Sequence, residues 1–119
     1  MVSSKHFKPT EYRCHCGCGL EPTQDLLDKL DEIRDLYKSP IILTCAARCA
    51  AHNVKVGGAH NSNHIKGTAA DLEYTPHLAL FLVAALDKFN IYMEDPQYTV
   101  GWRHISITPP PSGRRVFIP

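Results

Sequence analysis

The segment that most constrains the fold is residues 76–89, PHLALFLVAALDKF, whose body is apolar on nearly every side. Thr75 and Pro76 open it, and a threonine N-cap followed by proline in the first turn is a typical helix start. A helix with so little polar surface has to be buried against other elements. The sequence therefore predicts a helix over this segment that packs against a sheet in the core of a folded domain.

Other segments supply the elements that such a core needs. Residues 23–37 carry apolar side chains at helical spacing with charged residues between them, which predicts an amphipathic helix that ends before Ser39-Pro40. Strands are predicted at residues 41–44, 69–74 and 98–108, a short helix is an option at 48–56, and VFI near the C-terminus is an option for an edge strand. Helices and strands mixed without regular alternation indicate an α+β domain with a mainly antiparallel sheet and helices packed against it.

Length and composition limit the classes of protein that fit. The chain of 119 residues has room for one domain, which we place at residues 1–119, and its site is expected to work within a monomer. A formal net charge of +1 argues against a nucleic-acid partner, because phosphate binding calls for a surplus of clustered Lys and Arg. No stretch reaches the length of a membrane helix, and the N-terminus lacks the features of a secretory signal.

Five cysteines without a secretory signal favour thiols or metal ligands over a full disulfide framework. Three of them alternate in the segment CHCGC, as Cys14, Cys16 and Cys18. This spacing lacks the usual gap of a zinc knuckle, so a structural zinc site there would need Cys45 or Cys49 as well. A single disulfide between Cys14 and Cys49 stays open as an alternative.

Three residues stand out as metal ligands, namely His64, Asp71 and His104. Zinc is bound by imidazole nitrogen and carboxylate oxygen, and a catalytic site uses three protein ligands and keeps one position open. His64 lies in a loop and Asp71 on the strand that follows, so a turn at Gly67 can bring the two side chains together. His104 lies on a separate predicted strand. Taken singly, each of these residues is also compatible with an ordinary hydrogen-bonded structural role.

Longer segments resemble a known family. SNHIKGTAAD has the pattern S-x-H-x-x-G-x-A-x-D of the zinc D-Ala-D-Ala carboxypeptidases and the related L-alanyl-D-glutamate endopeptidases of phage lysins. HFKPTEYRCHCGCG is similar to the opening segment of that family, ILTCAARCAAHNVKVGGAHNS to its arginine-containing segment, and WRHISI to its closing strand. These segments occur in the family's order, so the resemblance extends over most of residues 6–107.

The resemblance implies a fold, a cofactor and residue roles. The fold would be that of the D-Ala-D-Ala peptidases and hedgehog-type domains, with Zn²⁺ bound by His64, Asp71 and His104. Arg48 would clamp the substrate or stabilise the oxyanion, although a surface salt bridge is its alternative role. Ser62 and Trp102 are the further candidates for substrate binding.

The chain departs from the family pattern where a general base is expected. Many members carry an acidic residue three positions before the last metal histidine, and this chain has Gly101 there. Glycine cannot accept a proton, so another group has to act or catalysis is weak. Glu94 and Asp95 are the first candidates for this catalytic role, followed by Glu73 and His60.

Two further departures surround the expected site, and Cys45 lies next to the first of them. Ala46 and Ala47 replace a glycine and an aromatic residue, which changes the wall of the pocket. Cys45 is either a small buried residue or a thiol near the metal. Ser106 stands where an aspartate often follows the histidine, which predicts weaker support for the ligands.

The function expected from these features is a zinc metallopeptidase, a carboxypeptidase or an endopeptidase, that hydrolyses a peptidoglycan peptide bond next to a D-amino acid with metal-activated water. The first alternative is a module of the same fold that binds zinc but hydrolyses weakly or not at all. A weaker one is a redox or cysteine-rich metal module around residues 14–18. An endolysin without its own signal would be made in the cytoplasm of a phage-infected bacterium and would reach the cell wall after release.

Overall fold

The computed structural model describes residues 1–119 and has five short strands and four α-helices. The helices are α1 (Pro9–Tyr12), α2 (Gln24–Tyr37), α3 (Ala50–Lys55) and α4 (Pro76–Phe89), with a 3₁₀ turn at Pro96–Tyr98. The strands are β1 (Leu43–Cys45), β2 (Ala69–Glu73), β3 (Tyr92–Glu94), β4 (Trp102–Ser106) and β5 (Val116–Phe117). The predicted α+β class is confirmed.

The strands form one sheet in the order β1-β2-β4-β3-β5. All neighbours are antiparallel except β3 and β5, which run parallel, so the predicted mainly antiparallel sheet is confirmed. The long pair is β2 with β4, at the centre, where Ala69 to Glu73 lie opposite Ser106 to Trp102. Two polar residues on opposing positions of these central strands will therefore have adjacent side chains.

Helix α2 begins and ends at residues that favour those ends. The Thr23 hydroxyl accepts a hydrogen bond from the Leu26 amide at 3.2 Å, which satisfies one of the free amides of the first turn. The last turn ends at Lys38 in the left-handed conformation. Its apolar stripe of Leu26, Leu27, Leu30 and Ile33 is fully buried, as its spacing predicts.

Helix α4 has the predicted extent but only one buried face. Leu78 and Leu82 are buried, whereas Leu80 is 74% exposed and Val83 is 54% exposed. The predicted burial of this helix is therefore confirmed for one face only. The reason is its position on the outside of the domain, where it contacts α2 and the shared core and nothing covers its far side.

Several strand boundaries also differ from the predictions. β1 starts two residues later and ends one residue later than expected. β4 is shorter than expected at both ends, because Tyr98 belongs to the 3₁₀ turn and the strand ends at Ser106. β3 was not predicted, because its three residues are too few to show an alternating pattern. The optional strand near the C-terminus exists as β5 and pairs with β3.

One apolar cluster links the helices to the inner face of the sheet, with contributions from α2, α4, β1, β2, β3 and β4. Leu72, Ile105 and Met93 occupy the centre of the sheet's inner face and are almost completely buried. The alternate residues of β2 and β4, including Asp71 and His104, therefore point to the opposite face. No helix is both long and apolar enough to cross a membrane.

Candidate metal centre

Asp71 and His104 are directly opposed on the two central strands. They are register partners in the antiparallel pair of β2 and β4. His104 Nδ1 lies 2.8 Å from Asp71 Oδ1, and both side chains are largely shielded from solvent. The sheet register thus explains why residues 33 positions apart in sequence meet at one point.

His64 reaches the same point from the loop before β2. Gly67 turns this loop with φ of 73°, a left-handed conformation that glycine adopts without strain. A Cβ at this position would also lie 3.0 Å from Pro22 Cα, at the start of α2. The Thr23 amide donates to the Gly67 carbonyl at 2.9 Å, so the loop is fixed to the N-terminus of α2.

The orientation of His64 leaves one ring nitrogen directed at Asp71. Its Nδ1 lies 2.8 Å from the Ala46 carbonyl oxygen, and a carbonyl can only accept, so Nδ1 carries the proton. Nε2 lies 3.2 Å from Asp71 Oδ2. In a neutral imidazole this would place two lone pairs against each other. A second proton or a cation is therefore required between His64 and Asp71.

The pKa values of this pair express the same requirement. Burial by itself lowers the pKa of His64, but the facing Asp71 carboxylate and the Cys45 thiol outweigh it and raise the pKa to about 10. Burial likewise raises the pKa of Asp71, but the two imidazoles outweigh it and hold the pKa below its ordinary value. The arrangement thus favours a bare carboxylate with positive charge beside it.

These atoms fit a zinc ion by their chemistry. Two imidazoles and one carboxylate are a common ligand set for catalytic zinc, and His64 has the carbonyl hydrogen bond that usually orients a metal histidine. A bound cation would replace the extra proton on His64. The three predicted metal ligands, His64, Asp71 and His104, are brought together by the structure, and their binding of zinc stays a prediction.

Cys45 provides a second possible ligand set. Its donor atom and those of His64 and Asp71 all lie within 4.8 Å of one another. Cys45 Sγ is 3.7 Å from His64 Nδ1, however, which is the nitrogen already bonded to Ala46. The thiol therefore lies beside the ring rather than in front of Nε2. Of the two roles considered for Cys45, the structure favours a thiol close to the metal centre.

Arg48 lies at the edge of this centre and is not a surface salt bridge. Its guanidinium is 3.9 Å from Asp71 Oδ2 and donates to Cys45 Sγ at 3.3 Å. It also donates to Asn53 Oδ1 at 2.9 Å, and Asn53 in turn donates to the Ala59 carbonyl at 2.9 Å. Asn53 thus holds both the arginine and the loop after α3.

The two candidates for a general base occupy different places. Glu94 lines the same open cleft as Arg48, His64, Asp71 and His104, and burial raises its pKa above the ordinary value. The structure does not bring Asp95 to this cleft. Its carboxylate accepts hydrogen bonds from the amide and the side chain of Gln97, where it caps the 3₁₀ turn.

The predicted substrate-binding residues both border the cleft. Trp102 lines it from β4 and is 39% exposed, which leaves ring surface for a ligand. The Ser62 hydroxyl accepts from the His64 amide at 3.2 Å, so it also shapes the loop that carries the histidine. Among the remaining candidates for a base, His60 does not line the cleft, and Glu73 is exposed outside it.

Some supporting groups were not visible in the sequence. The Ala46 carbonyl, which orients His64, is a backbone group and carries no residue-type signal. Ser106, which the sequence singled out only as a weaker substitute for an aspartate, is fully buried and accepts from Asn63 Nδ2 at 3.1 Å, so it supports the residue next to His64. Gly58 lies so close to Asn53 that a Cβ would meet its side-chain oxygen, and only the Gly57-Gly58 pair in the sequence hints at this contact.

Comparison with known proteins identifies a family for most of the chain. The sequence model of the family described as peptidase M15 matches residues 5–94. The matched region contains Arg48, His64, Asp71 and Glu94 but ends before His104, whose assignment rests on its contact with Asp71. No curated protein matches the chain. Since the match covers well over half of the sequence, the chain belongs to the peptidase M15 family and is a metallopeptidase at the level of its family.

Proposed function

We propose that the protein is a zinc-dependent peptidase that hydrolyses a peptide bond next to a D-amino acid in bacterial cell-wall peptide. The observation that carries this proposal is the convergence of His64 Nε2, Asp71 and His104 in one cleft with the Arg48 guanidinium. Membership of the peptidase M15 family supports the reaction class. The choice of peptidoglycan rests on the resemblance of the segments around these residues to those of the cell-wall peptidases.

The metal is assigned to the three convergent side chains. His64, Asp71 and His104 would hold the ion, with His64 oriented by the Ala46 carbonyl. A bound zinc ion supplies Lewis acidity, which polarises a carbonyl group and makes water acidic enough to react near neutral pH. Cys45 lies beside His64, and Arg48 donates to the Cys45 sulfur, so both residues flank the ligands.

The chain's own residues supply positioning and proton transfer. Arg48 provides a fixed guanidinium that stabilises the oxyanion formed at the attacked carbonyl, or binds a substrate carboxylate. Glu94 accepts a proton from the attacking water and returns it to the leaving amine, so that hydroxyl ends on carbon and hydrogen on nitrogen. Burial raises the pKa of Glu94, the direction that suits a group that must both take up and release a proton.

The decisive experiment incubates the purified, zinc-loaded protein with peptidoglycan and measures newly released amino groups, with and without a chelator. We expect cleavage that the chelator abolishes and that added zinc restores. The absence of chelator-sensitive cleavage from peptidoglycan and from isolated wall peptides would contradict the proposal.

The E94Q variant tests the proton-transfer role separately. We expect kcat to fall about 10²- to 10⁴-fold with bound zinc unchanged, because a general base typically contributes that much. E73Q is the matched comparison, since Glu73 is exposed and outside the cleft. An E94Q variant as active as the parent would contradict this role for Glu94.

The alternative of a zinc-binding module without hydrolysis is favoured by one feature. Gly101 stands where many family members carry an acidic residue, and the space next to it is empty within 4 Å. This alternative predicts that the parent protein binds zinc fully and cleaves no wall peptide. The cleavage assay with measured zinc content therefore separates it from the proposed peptidase.

A further inference from the structure

Four cysteine thiols converge at a second place, away from the candidate metal centre. The donor atoms of Cys14, Cys16, Cys18 and Cys49 all lie within 4.8 Å of one another. The Sγ atoms of Cys14 and Cys16 are 3.4 Å apart, and those of Cys16 and Cys49 are 3.6 Å apart. All four are free thiols in the structure. We refer to them as the four-thiol cluster.

We propose that the four-thiol cluster binds a second, structural zinc ion. In a tetrahedral site with zinc–sulfur bonds of about 2.3 Å, neighbouring sulfur atoms are about 3.8 Å apart. The separations of 3.4 and 3.6 Å are slightly shorter than this value. Four protein ligands also close the coordination sphere, which is typical of a structural rather than a catalytic site. This proposal is independent of the proposed peptidase activity.

The local backbone explains how alternating cysteines gather at one point. Gly17 and Gly19 flank Cys18 and have φ values of 88° and 84°, left-handed conformations that let the chain turn tightly there. The Cys14 amide donates to the Leu20 carbonyl at 2.9 Å and closes the loop. The CHCGC segment therefore folds as a compact turn, and it does not need the wider spacing of a zinc knuckle.

Cys49 brings in the fourth sulfur from a distant part of the chain. It is the N-cap of α3, and the amide of Ala47, two residues before it, donates to the Tyr12 carbonyl at 3.1 Å. A zinc ion here would link the N-terminal loop to the segment that carries Arg48. The second ion would therefore hold the N-terminal segment against one wall of the candidate metal centre.

Backbone amides already point at two of the sulfur atoms. The Cys49 amide donates to Cys14 Sγ at 3.3 Å, and the His52 amide donates to Cys49 Sγ at 3.4 Å. Such contacts stabilise the negative charge of thiolates bound to a metal. Binding of Zn²⁺ by four thiols releases their protons to solvent and leaves two net negative charges, which these amides partly compensate.

The proposal is tested by counting zinc in the full chain, purified without oxidants and without chelator. We expect about two equivalents per chain for the parent, and about one for C18S and for C49S. The H64A variant should also retain about one, from the four-thiol cluster. H15A is the matched control, because His15 lies between two of the cysteines but outside the cluster, and it should keep both ions.

Cobalt replacement identifies the ligands. In H64A loaded with Co²⁺, thiolate-to-cobalt charge-transfer bands and the strong visible bands of a tetrahedral site should appear, and they should be lost in H64A/C18S. Chelation should make the four thiols reactive toward an alkylating agent. Circular dichroism checks that C18S is folded. C49S removes a different ligand of the same cluster and should lose the same zinc ion.

Two results would overturn the proposal. One is a parent protein whose zinc content is unchanged by C18S and C49S. The other is the presence of disulfides among these cysteines instead of bound metal. This would be measured by intact mass after the protein is purified under reducing conditions and exchanged into buffer without reductant. A parent protein that binds two zinc ions but cleaves no wall peptide would instead count only against the proposed function.

Discussion

The substitution G58A tests whether Arg48 is held in place for its role at the metal centre. Gly58 has no side chain, and a Cβ built there would lie 2.7 Å from the Arg48 guanidinium and far inside contact distance of Asn53 Oδ1. Asn53 is only 2% exposed and has little room to move away. The methyl group must therefore displace Asn53, Arg48 or the loop that carries Gly58.

The size of the effect follows from the bonds at risk. Displacement breaks the hydrogen bond from Arg48 to Asn53 and strains the one from Asn53 to the Ala59 carbonyl. A bond to a charged group contributes about 1.5–3 kcal/mol and a neutral one about 0.5–1.5 kcal/mol. We therefore expect the free energy of unfolding to fall by about 2–4 kcal/mol. A shift of the guanidinium by about 1 Å should lower kcat/KM by roughly 10²-fold.

The assays are chemical denaturation and hydrolysis of wall peptide by zinc-loaded protein. G101A is the matched control, because the space around Gly101 is empty within 4 Å and its φ is not positive, so its stability should stay within about 0.5 kcal/mol of the parent. If G58A were as stable and as active as G101A, the inferred restraint of Arg48 by Asn53 would be refuted.

Three further predictions concern the core, the ligand set and the charges of the centre. L72A should lower the free energy of unfolding, measured by chemical denaturation, by about 2–5 kcal/mol, because Leu72 is completely buried. L80A should change it by about 0.5 kcal/mol or less, because Leu80 is 74% exposed. Equal effects would contradict the buried position of Leu72 in β2 and the exposed position of Leu80 in α4. In protein that also carries C18S, which removes the proposed second ion, C45S should retain zinc at the metal centre and H104A should lose it, as measured by metal analysis. The opposite result would favour Cys45, His64 and Asp71 as the ligands. In metal-free protein, the contact between His64 and Asp71 stabilises the fold. The contribution of His64, whose pKa is raised, is complete below about pH 6.5 and is lost as the pH rises toward 10. The contribution of Asp71, whose pKa is lowered, is lost as the pH falls below about 4. Thermal melting of chelated protein should therefore decline above pH 6.5 less in D71N than in the parent, and equal declines would refute the pairing.

Much of the fold was predictable because its signals are local. Thr23 and Thr75 both cap helices that the sequence predicts at these positions, since a threonine N-cap acts within a few residues. The burial of Leu72 and the outward position of Asp71 follow from the two-residue period of a strand. Strand β3 and the exposed side of α4 were not predictable in this way, because they depend on which elements lie next to them.

The candidate site shows the same division. His64, Asp71 and His104 were identifiable because zinc ligands belong to few residue types and occur in a patterned segment. The contact between Asp71 and His104 depends on the register of β2 with β4, which spacing in the sequence does not determine. The separation of Glu94 from Asp95 likewise comes from the 3₁₀ turn, which uses Asp95 as its cap. The partner of the CHCGC segment is Cys49 rather than Cys45, and the hydrogen bond from the Ala47 amide to the Tyr12 carbonyl holds that part of the chain beside the segment.

The most direct test of the metal centre is a crystal structure of zinc-loaded protein with anomalous diffraction recorded on both sides of the zinc absorption edge. We predict an anomalous peak about 2.0–2.2 Å from His64 Nε2, an Asp71 carboxylate oxygen and a His104 ring nitrogen. A fully zinc-loaded protein with no peak among these three side chains, or with an ion bound by Cys45 and not by His104, would contradict this assignment.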